Sequence, residues 1–240
     1  RARRRIDRRE RRDIPDHRQG AVFGVEWKGD LPFHRHLPHR RMPRGFDPAL
    51  GHAIGAGLER AQGFVLDIGA HWLHQSVLFA QQGYEVSAVD LPATLALPDV
   101  KALANAHRIQ LLECPDLANP TQLEALPENS FDVILFTEII EHITFNPVAM
   151  WRQIHRVAAP GARIVVTTPN YYALRAMLAR LRRTLTGAGG GLPVADILRQ
   201  PTHAHHWKEY SLGELHRYFG LLSPDFRIAK QKRTYWPPAQ

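Results

Sequence analysis

Phe64-Val-Leu-Asp-Ile-Gly-Ala-His-Trp-Leu-His74, followed by Tyr84-Glu-Val-Ser-Ala-Val-Asp90, is the stretch on which the fold turns. Its apolar run, about residues 63 to 68, does not alternate, as expected of a central parallel strand covered by helices on both faces. Gly69 then lets the backbone turn tightly and pass close to a ligand. A helix over about 72 to 82 comes next, with Leu73, Val77 and Ala80 on one face and Gly83 as its C-cap. The second apolar strand, about 84 to 89, ends at Asp90. Strand ends facing a helix N-terminus form a cleft where backbone N–H groups approach a ligand and an acid binds ribose hydroxyls. Asp90 follows Asp67 by 23 residues, close to the roughly 20 expected of such an acid. The layout is that of a nucleoside site.

The same alternation continues downstream. Arg108-Ile-Gln-Leu-Leu-Glu113, Phe131 to Phe136 and Arg163 to Thr168 read as strands. Between them lie a weak helical stretch over about 99 to 107 and a helix over about 147 to 158. The latter turns Met150, Trp151, Ile154 and Val157 to the sheet, and Pro160-Gly161 leads into the next strand. Upstream, residues 14 to 45 are rich in Pro, His and Arg without a period and predict an extended surface loop. Asp47 and Pro48 then open a helix carrying Leu50, Ile54 and Leu58.

Four motifs stand in order over more than 100 residues: Leu66-Asp-Ile-Gly69, Ala88-Val-Asp90, Ser130-Phe-Asp-Val-Ile-Leu-Phe-Thr-Glu-Ile-Ile-Glu-His142 and Ala159-Pro-Gly-Ala-Arg-Ile-Val-Val-Thr-Thr-Pro-Asn170. Together they resemble the class I S-adenosylmethionine-dependent methyltransferases of the small-molecule and glycan type, in particular the ubiquinone-biosynthesis O-methyltransferase branch. The resemblance implies an α/β fold: a Rossmann-like, doubly wound seven-stranded sheet, mostly parallel with an antiparallel edge strand, and helices on both faces. It implies S-adenosylmethionine as cofactor, held by Asp67, Gly69, Ala70, His71, Asp90, Leu91, Asp116, Leu117 and Thr137. Asp116 stands where the family places an acid on the adenine amino group, although it can equally cap a nearby helix. The chain departs from the first motif, which usually continues with further glycines where His71 and Leu73 stand here.

Methyl transfer requires donor and acceptor held in line and a proton removed from the acceptor. His142 follows the fourth strand and titrates near neutrality, which makes it the candidate base. Glu138, His206 and Tyr210 are candidates for the acceptor side. The last two lie in His203-Ala-His-His-Trp-Lys-Glu-Tyr-Ser211, a segment resembling one that returns to the active site in small-molecule and glycan methyltransferases. A helix over about 212 to 220 and two strands, about 225 to 230 and 232 to 236, close the domain. Residues 171 to about 184 have helical spacing in Leu174, Met177, Leu178 and Leu181, with Arg175, Arg180, Arg182 and Arg183 alongside. With the Gly-rich connector at 186 to 192 as hinge, they predict a lid-like insertion over about 171 to 210.

At 240 residues the chain suits one domain, 47 to 240, preceded by an arm and loop, 1 to 46. Its apolar fraction of 44% and charged fraction of 22% are those of an ordinary globular domain. No apolar run reaches a membrane span and no secretory signal is apparent, so a cytoplasmic location is expected. The lone Cys114 excludes an internal disulfide framework and predicts a small core residue within a strand. Five of the eight net positive charges fall within residues 1 to 13. Such an arm can bind nucleic acid or anionic lipid, though a solvated helix of mixed charge is the plainer reading. His34, His36 and His39 lack accompanying Cys or carboxylates at ligand spacing, and no metal is expected. Three other functions share the outline: an RNA or protein methyltransferase using the arm, a nicotinamide oxidoreductase and a non-catalytic partner subunit. The oxidoreductase fits poorly, because no Gly follows Gly69 until Gly83.

Overall fold

The computed structural model describes residues 19–27, 63–172, 174–187, 192, 194–199 and 202–235. The Arg-rich arm, His34, His36, His39 and the helix expected after Asp47 lie outside the described residues. The strands are β1 (Gln19–Trp27), β2 (Phe64–Ile68), β3 (Glu85–Asp90), β4 (Gln110–Glu113), β5 (Phe131–Thr137), β6 (Ala158–Pro169) and β7 (Phe226–Tyr235). The principal helices are α1 (His74–Gln81), α2 (Pro98–His107), α3 (Val148–Val157), α4 (Leu174–Leu185) and α5 (Leu212–Leu222).

Five parallel strands, in the order β4-β3-β2-β5-β6, form the body of the sheet. The chain runs outward from β2 through β3 to β4, then returns to start again at β5 beside β2. The crevice of such a sheet opens at this reversal, outside the carboxyl ends of β2 and β5. That is where Asp67, Gly69, Thr137 and Glu138 stand.

Alternation along the buried strands separates two cores. Leu66, Ile68, Ile134 and Phe136 face Met150, Trp151, Ile154 and Val157 of α3 and Leu215 and Phe219 of α5. Val65, Val133 and Leu135 face Leu73, Phe79 of α1, and Val100 and Ala104 of α2. Helices therefore cover both faces. Trp151 anchors the first core, with its ring 5.2 Å from Phe136 and 5.1 Å from Phe219 and its Nε1–H donating to the Tyr218 hydroxyl at 2.8 Å. The face expected of α3 is the one that is buried.

Beyond β6 the sheet is built differently from the expectation. Residues 19 to 27, read as part of an extended loop, form β1, which pairs antiparallel with β6 and with β7. Val22-Phe-Gly-Val25 supplies enough apolar residues for a strand, but the surrounding Pro, His and Arg hide it from a window average. The two terminal strands are one continuous strand, β7, because no turn residue interrupts Phe226–Tyr235. The antiparallel member is thus β1, and β7 runs in the same sense as the parallel five. Pro160-Gly161, read as a turn, lies inside β6, with Gly161 at φ 80 where the pairing with β5 shifts register. Cys114 is buried as expected but sits one residue beyond β4.

Candidate active site

The loop from β2 to α1 keeps a glycine-loop shape with non-glycine residues. Gly69 has φ 75, and a Cβ there would collide with the Ile139 side chain. His71 at φ 47 and Leu73 at φ 62, the positions where the family's further glycines would stand, are also left-handed. That conformation costs an L residue roughly 1–2 kcal/mol. Hydrogen bonds from the next strand hold it: the N–H groups of Gly69 and Ala70 donate to the Val89 carbonyl at 2.8 and 3.2 Å, and that of His71 to Asp90 Oδ2 at 2.6 Å. Leu73 turns its side chain into the core with Val65 and Phe79, while His71 is exposed with its ring edge-on to Trp72.

Asp90 also accepts the Leu91 N–H on Oδ1 at 2.6 Å. Each oxygen thus takes one backbone donor and keeps a second lone pair for a ligand hydroxyl. Asp67 is buried, accepts Ser76 Oγ–H on Oδ2 at 2.6 Å, and leaves Oδ1 without a hydrogen-bond partner. Burial, with a smaller push from the Asp90 charge, raises its carboxyl to about 6. Cys114 N–H bonds the Asp90 carbonyl at 2.9 Å, which brings the end of β4 beside Asp90. Beyond it, Asp116 is exposed and accepts the Ala118 N–H at 2.8 Å, closing a local turn. It caps no helix, since Pro120 precedes the single turn Thr121–Glu124. Leu117 packs at the rim of the core.

A second cluster of expected site residues is built on the end of β5. Thr137 pairs with Thr167, and Glu138 follows at φ 55, held by its N–H to the Thr167 carbonyl at 2.9 Å. Non-glycine strain of this kind persists only where the surroundings enforce it, and it collects at functional sites. A 3-10 turn, Ile140–His142, then points Glu141 inward. Glu141 is fully buried; Thr168 Oγ–H donates to its Oε2 at 2.9 Å, and its Oε1 has no hydrogen-bond partner. Burial and the nearby Glu138 carboxylate push the Glu141 carboxyl up.

Residues 205 to 210 return to this turn. The N–H groups of Trp207 and Lys208 donate to the Glu141 carbonyl at 2.8 and 3.3 Å, and Asn170 bridges to Tyr210. His142 Nδ1 lies 3.0 Å from the His205 carbonyl. A carbonyl only accepts, so Nδ1 carries the proton and Nε2 presents a lone pair. Nε2 is 3.9 Å from Glu141 Oε1, and the His142 and His206 rings meet edge-on at 4.7 Å.

The structure therefore gathers His142 and His206 with Glu141, which the sequence did not single out. Its signal was the spacing Glu138-x-x-Glu141-His142 at the mouth of a parallel strand. One ligand atom each from Glu141, His142 and His206 lies within 4.8 Å of the others, a set that can hold a metal ion. Tyr210 instead packs against Tyr218 at 5.8 Å, and burial raises its phenol, which suits it less to proton removal.

A protein family described as a methyltransferase domain matches residues 33–221. The chain belongs to that family. Its four motifs are those by which the chain resembles S-adenosylmethionine-dependent methyltransferases. The chain is 27% identical over 159 residues to a ubiquinone biosynthesis O-methyltransferase of Xanthomonas oryzae pv. oryzae (strain PXO99A), covering 65% of this chain and 60% of that protein. To a protein of the same name from Pseudomonas aeruginosa (strain LESB58) it is 29% identical over 107 residues, 44% of each. The match thus spans less than two thirds of either relative. Among solved structures, the YcgJ protein from Bacillus subtilis superposes with a TM-score of 0.51 at 21% identity, over 72% of this chain and 67% of that one, a likeness of fold.

Proposed function

We propose that this chain transfers the methyl group of S-adenosylmethionine to a hydroxyl oxygen of a small-molecule, lipid-linked or saccharide acceptor, with His142 taking the hydroxyl proton. The observation that carries the reading is the bond from His142 Nδ1 to the His205 carbonyl, which leaves Nε2 basic beside Glu141. A hydroxyl must lose its proton to attack, whereas a neutral amine need not, and the named relatives are O-methyltransferases.

The nucleoside end fits the residues present. Each oxygen of Asp90 takes one backbone donor and keeps a second lone pair, and Asp67 Oδ1 awaits a donor. When bound, S-adenosylmethionine supplies a methyl carbon activated by a positively charged sulfur. The protein holds the acceptor oxygen in line with it and excludes water. As the methyl carbon is passed to the acceptor oxygen, the proton of that oxygen would pass to His142 Nε2, which lies 3.9 Å from Glu141 Oε1. The unpartnered Glu141 Oε1 favours a second reading of the same cluster: Glu141, His142 and His206 hold a divalent cation that lowers the pKa of the bound hydroxyl.

The test is label transfer from methyl-tritiated S-adenosylmethionine to extract fractions. The expected result is a labelled acceptor, with kcat in His142→Ala lowered about 10²–10⁴-fold while S-adenosylhomocysteine still binds. Loss of activity on chelation and its return with magnesium or zinc selects the cation reading. Absence of both label and S-adenosylhomocysteine binding overturns the proposal.

A further inference from the structure

In β6 the alternate residues Ile164, Val166 and Thr168 share one face, and all three are fully buried. The first two belong to the apolar core around Trp151 and Phe219. A valine at 168 would continue that row with the same branched shape, so packing does not account for the hydroxyl. What the hydroxyl meets is Glu141, to whose Oε2 Thr168 Oγ–H donates at 2.9 Å. Strand pairing fixes the donor from both sides: Thr137 of β5 pairs with the neighbouring Thr167, and Ala21 of β1 with Thr168 itself.

Glu141 is held by two separate elements. Its carbonyl accepts the N–H groups of Trp207 and Lys208, so the returning segment fixes its backbone. Its carboxyl needs a second hold, because the torsion that turns the two oxygens of a glutamate is broad and roughly two-fold. The bond from Thr168 removes that freedom. With Oε2 engaged by the hydroxyl, Oε1 is the oxygen turned toward His142, 3.9 Å from Nε2. In a site of low dielectric, the orientation of a polar group beside a base is strongly felt.

We propose that Thr168 is a positioning residue for methyl transfer: its hydroxyl sets the rotation of the Glu141 carboxyl, and so which oxygen faces His142 Nε2. Thr168 acts through Glu141 and touches neither donor nor acceptor. The proposal rests on His142 working as the base, and its test separates a failure of that reading from a failure of this one.

The test compares Thr168→Val, which keeps the shape and loses the hydroxyl, with Thr168→Ser, which keeps the hydroxyl. Initial rates are read at saturating methyl-tritiated S-adenosylmethionine, in the extract fraction that the wild type labels, and S-adenosylhomocysteine affinity is read by calorimetry. The expected result is a rate lowered ~10–100-fold in Thr168→Val, with S-adenosylhomocysteine affinity unchanged and most of the rate restored in Thr168→Ser. In a Glu141→Ala background, Thr168→Val brings no further loss, because the group it orients is gone. Equal rates in wild type and Thr168→Val overturn this proposal alone. So does a loss in the Glu141→Ala background as large as in the wild type, or a loss of rate matched by a loss of S-adenosylhomocysteine affinity. Should Thr168→Val not fold, Thr168→Ser against Thr168→Ala gives the same comparison, and failure of both hydroxyl-free variants to fold assigns the bond to stability and overturns the proposal. Absence of label with the wild type overturns the methyl-transfer reading and this one with it.

Discussion

His71 and Leu73 show how a single residue can keep a loop's shape while changing what that shape costs. Both sit in the left-handed region where a glycine is unstrained, but their side chains meet different fates. His71 is exposed, so His71→Gly removes strain at the expense of a freer unfolded chain and is expected to raise stability by up to about 1 kcal/mol. Leu73 is fully buried, so Leu73→Gly forfeits core contacts and is expected to cost about 2–4 kcal/mol despite the same relief. Urea unfolding of the two variants checks both signs. Asp67 gives a pH signature. Its folded carboxyl titrates at about 6 against an ordinary 3.8, so between those values the folded state holds the extra proton. This contribution to stability is fully present below pH 3.8 and is lost, by ~3 kcal/mol, as pH rises through 6. In Asp67→Asn that part of the slope disappears, as urea midpoints across pH 4 to 7 will show.

At the scale of elements, the segment bearing His206 and Tyr210 is positioned by the start of α5. Ser211 caps this helix: its Oγ accepts the Glu214 N–H at 3.2 Å, and Glu214 Oε2 accepts the Ser211 N–H at 2.9 Å. The Lys208 ammonium, 2.7 Å from Glu214 Oε1, extends the cap back toward the active site and holds the Glu214 carboxyl down to about 2. Ser211→Ala is expected to cost about 1 kcal/mol in thermal unfolding. It is also expected to raise the acceptor KM and to lower kcat, because the loosened segment carries both His206 and the His205 carbonyl that holds His142. The helix α3 was legible because its apolar face and its packing agree. The helix α4 has the same periodicity, but its apolar stripe, Met177, Leu178, Leu181 and Leu185, is exposed, and periodicity alone does not say what covers a stripe.

For the whole molecule, the reversal between β2 and β5 places the Gly69 loop and the Glu141–His142 turn at one crevice, so a ligand bound there links binding to folding. A ligand that binds only the folded state stabilises it by ~2.7 kcal/mol at a hundredfold excess over Kd. For S-adenosylhomocysteine this corresponds to a Tm rise of roughly 5–10 °C in a domain of this size. Asp90→Ala is expected to abolish the shift, whereas His142→Ala keeps it, and differential scanning fluorimetry reads both.

The sequence by itself determined the parallel body and the glycine turn and acids at its strand ends. Those features are local: an apolar strand, a glycine turn and an acid at the next strand's end each imprint a short window, and Asp67, Gly69 and Asp90 stand where that pattern puts them. It did not determine the strand at residues 19–27, nor the single run of β7, because strand pairing is a contact between distant segments with only a weak mark in either. Only the tertiary structure brought Glu141 and His142 against His206, across 63 residues of chain between the last two. Only it showed the apolar stripe of α4 facing outward. Convergence of side chains from separate elements depends on how the sheet and its returning segment are packed, and that is a property of the folded whole.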